Sequence, residues 1–191
     1  MLHEVEVKIE GKPPGILFNN PENTMGAKPS LTRVYIPEEE AEKRCYWMDE
    51  TKSSLSYPST GLYRGLSIAS KGIKIGKSYL EKYVLGDVTI FPEPFVPFNV
   101  KAYDIHKVRV VVVKQGIIRH RPWLKTWQLS FITRWEDIYL GKDFHKSFLP
   151  TLLEKWGSML GMGDFRPEKK GPYGRFKVIS ISPSVDVKET V

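Results

Sequence analysis

Residues 161 to 176 read Gly-Met-Gly-Asp-Phe-Arg-Pro-Glu-Lys-Lys-Gly-Pro-Tyr-Gly-Arg-Phe, a stretch that places four glycines, four cations and two aromatic rings ahead of Phe176. Glycine lets a backbone turn with positive φ or approach another group closely, and successive N–H groups beside Arg166, Lys169, Lys170 and Arg175 would form a concave site for phosphate. Gly161, Gly163, Gly171 and Gly174 are the candidate backbone contacts, and Phe165 and Tyr173 supply rings for stacking. The alternative at the same residues is a helix C-cap at Gly161 followed by a solvated turn. A second cluster, Arg119, His120, Arg121, Trp123 and Lys125, again joins cations to an aromatic. There Trp123 either stacks on a ligand or belongs to the core. His120, flanked by two arginines, has the best surroundings of the histidines for general acid–base chemistry on a phosphate, and is the one weak catalytic candidate. An ordinary polar role is its alternative.

Other chemistries find no support in the spacing. His3, His106, His120 and His145 are far apart and the single Cys45 has no local partner, so no metal site and no internal disulfide is expected. Gly161-Met-Gly-Asp-Phe-Arg lacks the third glycine of a dinucleotide fingerprint and follows a helix instead of a strand. Gly76-Lys-Ser78 lacks the earlier glycine of a P-loop, because position 71 is lysine. No cofactor is expected. The 29 basic against 22 acidic residues, a net charge of +7, favour phosphate-rich partners. No apolar stretch reaches the roughly 20 residues needed to cross a bilayer, and the start lacks a signal-peptide pattern, so the expectation is a cytoplasmic protein with no membrane partner.

These groups need elements to hold them. Glu4-Val-Glu-Val-Lys-Ile9 alternates with period two and predicts a strand with one buried face. The following twenty or so residues read as loop, and Pro37 to Met48 as a helix whose acids Glu38, Glu39 and Glu40 form a solvated start. A helix presenting Leu66, Ile68 and Ala69 follows, then a second helical piece from Ser78 to Leu85. Val88 onward, rich in proline, predicts an edge strand or extended arm. The strongest β signal is the pair Lys107–Lys114 and Trp127–Trp135, with Gln115–Thr126 as the link between them. In the second, Trp127, Leu129 and Phe131 share a covered face, and Gln128, Ser130 and Arg134 an open one. Phe148, Leu152, Leu153, Trp156 and Leu160 recur at helical spacing, Phe176 to Ile181 closes as a strand, and Val185–Val191 is expected to fray.

Apart from insertions the order is strand, helix, strand, strand, helix, strand. This predicts an α+β fold of ferredoxin-like or RRM type, a βαββαβ antiparallel sheet backed by two helices. One domain over residues 1–191 is expected, with insertions at about 12–60 and 86–105. A glycine-rich basic loop between the second helix and the last strand of such a domain resembles the G-loop of the RAMP superfamily, the RNA-binding and RNA-processing subunits of CRISPR effector complexes. Over nearly its whole length the chain also resembles a group of tailed-phage and prophage proteins, in the segments around Glu40–Tyr46, Arg119–Trp127, Gly161–Pro167 and Tyr173–Phe176. The acids Asp164 and Glu168 depart from the RAMP pattern, in which the loop is more purely glycine and basic.

The resemblance implies a non-catalytic protein of phage, mobile-element or CRISPR-associated type that binds single-stranded nucleic acid, RNA above DNA. It would act as a homo-oligomer or within a multi-subunit ribonucleoprotein, in a host cytoplasm if viral. The alternatives are a phage protein that anneals single-stranded DNA or takes part in virion assembly, and a metal-independent endoribonuclease using His120.

Overall fold

The computed structural model describes residues 1–21, 36–112 and 115–187. In chain order its elements are β1 (Leu2–Gly11), β2 (Ile16–Leu17), α1 (Pro37–Glu42), β3 (Ser56–Pro58), α2 (Ser59–Ser70), β4 (Lys74–Ile75), β5 (Ser78–Tyr79) and α3 (Leu80–Asp87). Then come β6 (Val88–Phe91), β7 (Phe95–Pro97), β8 (Asp104–Val112), β9 (Gln115–Leu124), β10 (Gln128–Glu136), α4 (Asp137–Leu140), α5 (Phe144–Ser147) and α6 (Leu149–Lys155). A π-helical turn, Trp156–Leu160, a 3-10 turn at Pro167–Lys169, β11 (Phe176–Ile181) and β12 (Val185–Val187) complete it.

The main sheet runs β11-β1-β10-β6, antiparallel throughout. Numbered as the four strands of a βαββαβ unit this is the order 4-1-3-2, so the fold is α+β, of ferredoxin-like type with insertions. β1 alternates as its sequence requires. Val5, Val7 and Ile9 are buried opposite Phe131 and Leu129 of β10, and helices α2 and α6 cover that face. α6 turns Leu149, Leu152 and Leu153 inward, and Trp156 continues the stripe one turn on. Trp156 lies against Gly65 of α2 with no room for a Cβ between them, which sets how closely the two helices approach.

The open face is polar and internally paired. Arg134 donates to Glu4 at 2.6 Å, Lys177 to Glu10 at 2.6 Å and Gln128 to Glu10 at 2.9 Å. The guanidinium of Arg134 also covers Phe91, 4.2 Å from its ring centroid.

Three sequence expectations change. The partner of Trp127–Trp135 in the sheet is not Lys107–Lys114: β10 pairs with β1 and with the short edge strand β6. Residues 104–112 pair instead with 115–124, so the presumed link is itself a strand, and β8 and β9 form an inserted ribbon. β6 and β8 are both rich in β-branched residues, and composition alone does not say which of two such strands is the partner. The helix from Pro37 stops at Glu42, and the chain turns so that Trp47 bridges Leu55. Val185–Val187 adds to β1 beside Leu2–Glu4 instead of fraying. Residues 22–35, which take in the later part of the loop expected after β1, lie outside the described residues, as do Val113, Lys114 and the tail from residue 188.

Candidate nucleic-acid interface

Three segments interlock at one end of the sheet: the turn after β1, the last part of β9, and the loop from Gly161 to Arg175. Arg175 accepts the Lys12 N–H at 2.8 Å, and Gly15 accepts the Gly174 N–H at 2.7 Å. Gly174 has φ +74° and lies so close to the Met162 backbone that any Cβ would overlap its carbonyl, so a glycine is required. Trp123 donates its indole N–H to the Pro14 carbonyl at 2.7 Å. The turn, the β9 strand and the loop therefore hold one another in place.

α6 delivers the loop through a π turn. Gly161 donates to the Trp156 carbonyl, five residues back, at 2.7 Å, and the Trp156 indole returns a bond to Gly161 at 3.0 Å. Such single π turns recur beside functional sites. Gly161 closes the helix as the C-cap alternative expected.

The amides of the loop are largely committed to the fold. Met162 donates to Gly174, Gly163 to the Tyr57 hydroxyl, Asp164 to Leu17, Gly171 to Arg166 and Tyr173 to Phe165. The N–H groups of Gly161, Gly163, Gly171 and Gly174 thus all donate within the protein.

Those side chains divide into two sets. Arg119 and His120 are each 8 % exposed and Arg121 is 6 % exposed. Arg119 donates to Glu40 Oε1 at 3.3 Å, while Glu40 Oε2 accepts the His120 backbone N–H at 3.0 Å and lies 2.9 Å from its Nδ1. Arg121 Nε donates to Asp164 at 3.0 Å. Glu40, only 5 % exposed, is therefore not a solvated helix start; it satisfies the edge of β9 and balances the charge behind it. Burial, followed by the nearby Arg121, pulls the Arg44 pKa below its ordinary value in the same cluster. Arg166 pairs with Glu168 at 2.6 Å and bonds the Gly163 carbonyl, and Lys125 pairs with Asp104 at 3.0 Å while lying over the Trp123 ring at 4.8 Å.

The second set is Lys169, Lys170 and Arg175, all exposed, and Lys12, which the sequence reading missed. Among the described residues none of these four makes an ion pair. Lys12 could have been found only from its bond to Arg175, which joins the two ends of the chain. Beside them lies a ring cluster. His106 Nε2 is 2.9 Å from the Tyr173 hydroxyl, and His106, Trp123 and Tyr173 meet edge to face at 5.2 to 6.4 Å. Burial holds the His106 pKa below its ordinary value. Phe165 continues the cluster outward, 6.3 Å from Tyr173. His106 is the other residue that sequence reasoning did not select, because its partner Tyr173 lies 67 residues away and nothing local marks it.

Cys45 is buried, and burial pushes its thiol up to about 12, which leaves it protonated at neutral pH. Among the described residues no three His, Cys, Asp or Glu side chains converge as metal ligands. No helix among them is long and apolar enough to cross a membrane.

No protein-family profile and no curated protein matches the chain. Among solved structures it is similar to a chain in the cryo-EM structure of the type III-B Cmr-beta bound to cognate target RNA, at 14 % identity and a TM-score of 0.50. The match covers 95 % of this chain and 60 % of that one, so the protein spans less than two thirds of its neighbour's length. At that identity the similarity is one of fold alone.

Proposed function

We propose that the protein binds single-stranded nucleic acid, RNA in preference to DNA, without cleaving it. The binding face is formed by the turn at residues 12–15, Trp123 of β9 and the loop from Gly161 to Arg175, with Lys125, paired to Asp104, at its margin. The observation that carries this reading is the set of exposed cations, Lys12, Lys169, Lys170 and Arg175, with no acidic partner among the described residues, carried by the same interlocked turn and loop that hold the Phe165, Tyr173 and Trp123 rings. Cations along a groove with aromatics between them are what a single strand requires, since phosphates repeat along it and its bases present open faces. The open face of the sheet, where RRM modules stack bases, offers paired acids and a ring covered by Arg134, so the strand is assigned to the loop end. The fold likeness to a chain from an RNA-bound complex supports RNA as the strand and a ribonucleoprotein as the assembly.

Photo-crosslinking with RNA carrying 4-thiouridine tests the assignment. Adducts are expected on Phe165, Tyr173, Lys169 or Lys170, and adducts confined to the β1 and β10 face would overturn it. A second reading, metal-independent cleavage, draws on the Glu40–His120 pair, because a carboxylate on Nδ1 orients an imidazole as a proton acceptor. Cleavage of RNA in the presence of a chelator, lost on His120→Gln, would favour it over binding alone. Filaments or rings formed with a preference for DNA would favour annealing, and assembly without affinity for any strand would favour a virion role.

A further inference from the structure

We infer that Phe165 is a fixed platform on which one base of the bound strand stacks, an assignment that rests on the reading of this face as a nucleic-acid surface. The ring is 45 % exposed, yet its backbone sits at φ +49°, a left-handed conformation that bulky L residues rarely adopt. A large side chain kept in such a conformation persists only where its surroundings over-determine it, and such positions cluster at ligand sites.

The surroundings here do over-determine it. The Phe165 N–H donates to Asp164 Oδ1 at 3.0 Å, and its carbonyl accepts the Tyr173 N–H at 3.3 Å. Gly171 lies so close beneath that carbonyl that a Cβ there would overlap it. Asp164 is itself anchored, by Arg121 at 3.0 Å and through its own N–H on Leu17 of the buried strand β2 at 2.8 Å. The ring thus stands on a stem tied to the core, which lowers the ordering cost when a ligand meets it.

The occupant follows from shape and charge. The Phe165 and Tyr173 ring centroids are 6.3 Å apart with a 34° tilt, too close for a base to enter between them, so the 45 % exposed Phe165 suits one flat partner on its exposed side. Lys169 and Lys170 belong to the same loop and Arg175 ends it, all exposed and without ion-pair partners among the described residues. A flat π surface flanked by negative charge is a nucleotide within a strand. Stacking of this kind tolerates any base, so the platform contributes affinity and register without sequence preference.

The test uses the full chain and single-stranded RNA of ~12 nucleotides, within the usual site size, in which 2-aminopurine replaces each position in turn. Affinity is read by anisotropy and stacking by 2-aminopurine fluorescence. The expected result is quenching at a single register in the wild type, lost in Phe165→Ala together with ~5- to 150-fold in affinity, the range for one stacked base. Phe165→Tyr and Phe165→Trp should restore both, and the slope of affinity against salt should not change. Phe165→Asn, which tolerates the left-handed backbone, separates binding from folding: it should lose affinity while its melting temperature is not lowered. If Phe165→Ala or Phe165→Leu binds as the wild type does, the platform is overturned and the basic surface stands. If wild-type protein binds no single strand, the underlying reading falls with it.

Discussion

Replacing Lys12, Lys169, Lys170 and Arg175 together by glutamine should abolish most of the electrostatic affinity for a single strand without disturbing the fold. The four side chains are exposed and, among the described residues, make no ion pair, so their removal leaves no carboxylate unpaired. Each phosphate neutralised on a single strand contributes about 0.7 to the slope of log affinity against log salt. Four such contacts lower the magnitude of that slope by about 2.8, equivalent to ~600-fold in affinity at 0.1 M salt relative to the 1 M reference. The assay is anisotropy over a salt series, with circular dichroism and a melting curve to establish that the variant is folded. The contrasting variant is Lys125→Gln with Arg166→Gln, which removes cations already paired to Asp104 and Glu168 and should move the slope by much less. A slope unchanged in the quadruple variant, or changed equally by the paired set, would refute the division of the cations into free and committed groups.

Glu40→Ala leaves Arg119 and His120 buried without their shared acceptor, and should destabilise the protein by roughly 3 to 5 kcal/mol, the range for a broken buried ion pair; denaturant unfolding measures it, and a loss below about 1 kcal/mol would show the cluster relaxes freely. His106 has its pKa lowered by burial, so the unfolded chain binds the proton more readily than the folded one. Stability should therefore hold above the ordinary imidazole value of about 6.5 and decline as pH falls below it; the drop in melting temperature from neutral pH to about 5 should shrink in His106→Gln, and an equal drop in both would remove His106 from the cause.

The period-two pattern of β1, the helical stripe of α6 and the closing strand β11 were legible because each buries one face against the core, and burial imprints periodicity on sequence. The α+β ferredoxin-like class followed from an order that counted Lys107–Lys114 as the second strand, a place in the sheet that Val88–Phe91 takes. The pairing of β10 was not legible, because β8 and β6 are both rich in β-branched residues and register is decided by contacts distant in sequence. For the site, the loop and the β9 cluster were visible as charge and glycine, but the division between them was not. Arg119, His120 and Arg121 read like a ligand surface until Glu40 and Asp164, 79 and 43 residues away, are seen to hold them. Lys12 and His106 were missed because nothing local marks them; each joins the cluster through a bond across more than 60 residues.

The most direct measurement of the central claim is anisotropy of labelled single-stranded RNA, single-stranded DNA and duplex at two salt concentrations, using protein stripped of co-purified nucleic acid. The account predicts tightest binding to single-stranded RNA, weaker binding to duplex, and a marked loss at the higher salt. Absence of binding to any single strand at low salt would contradict it.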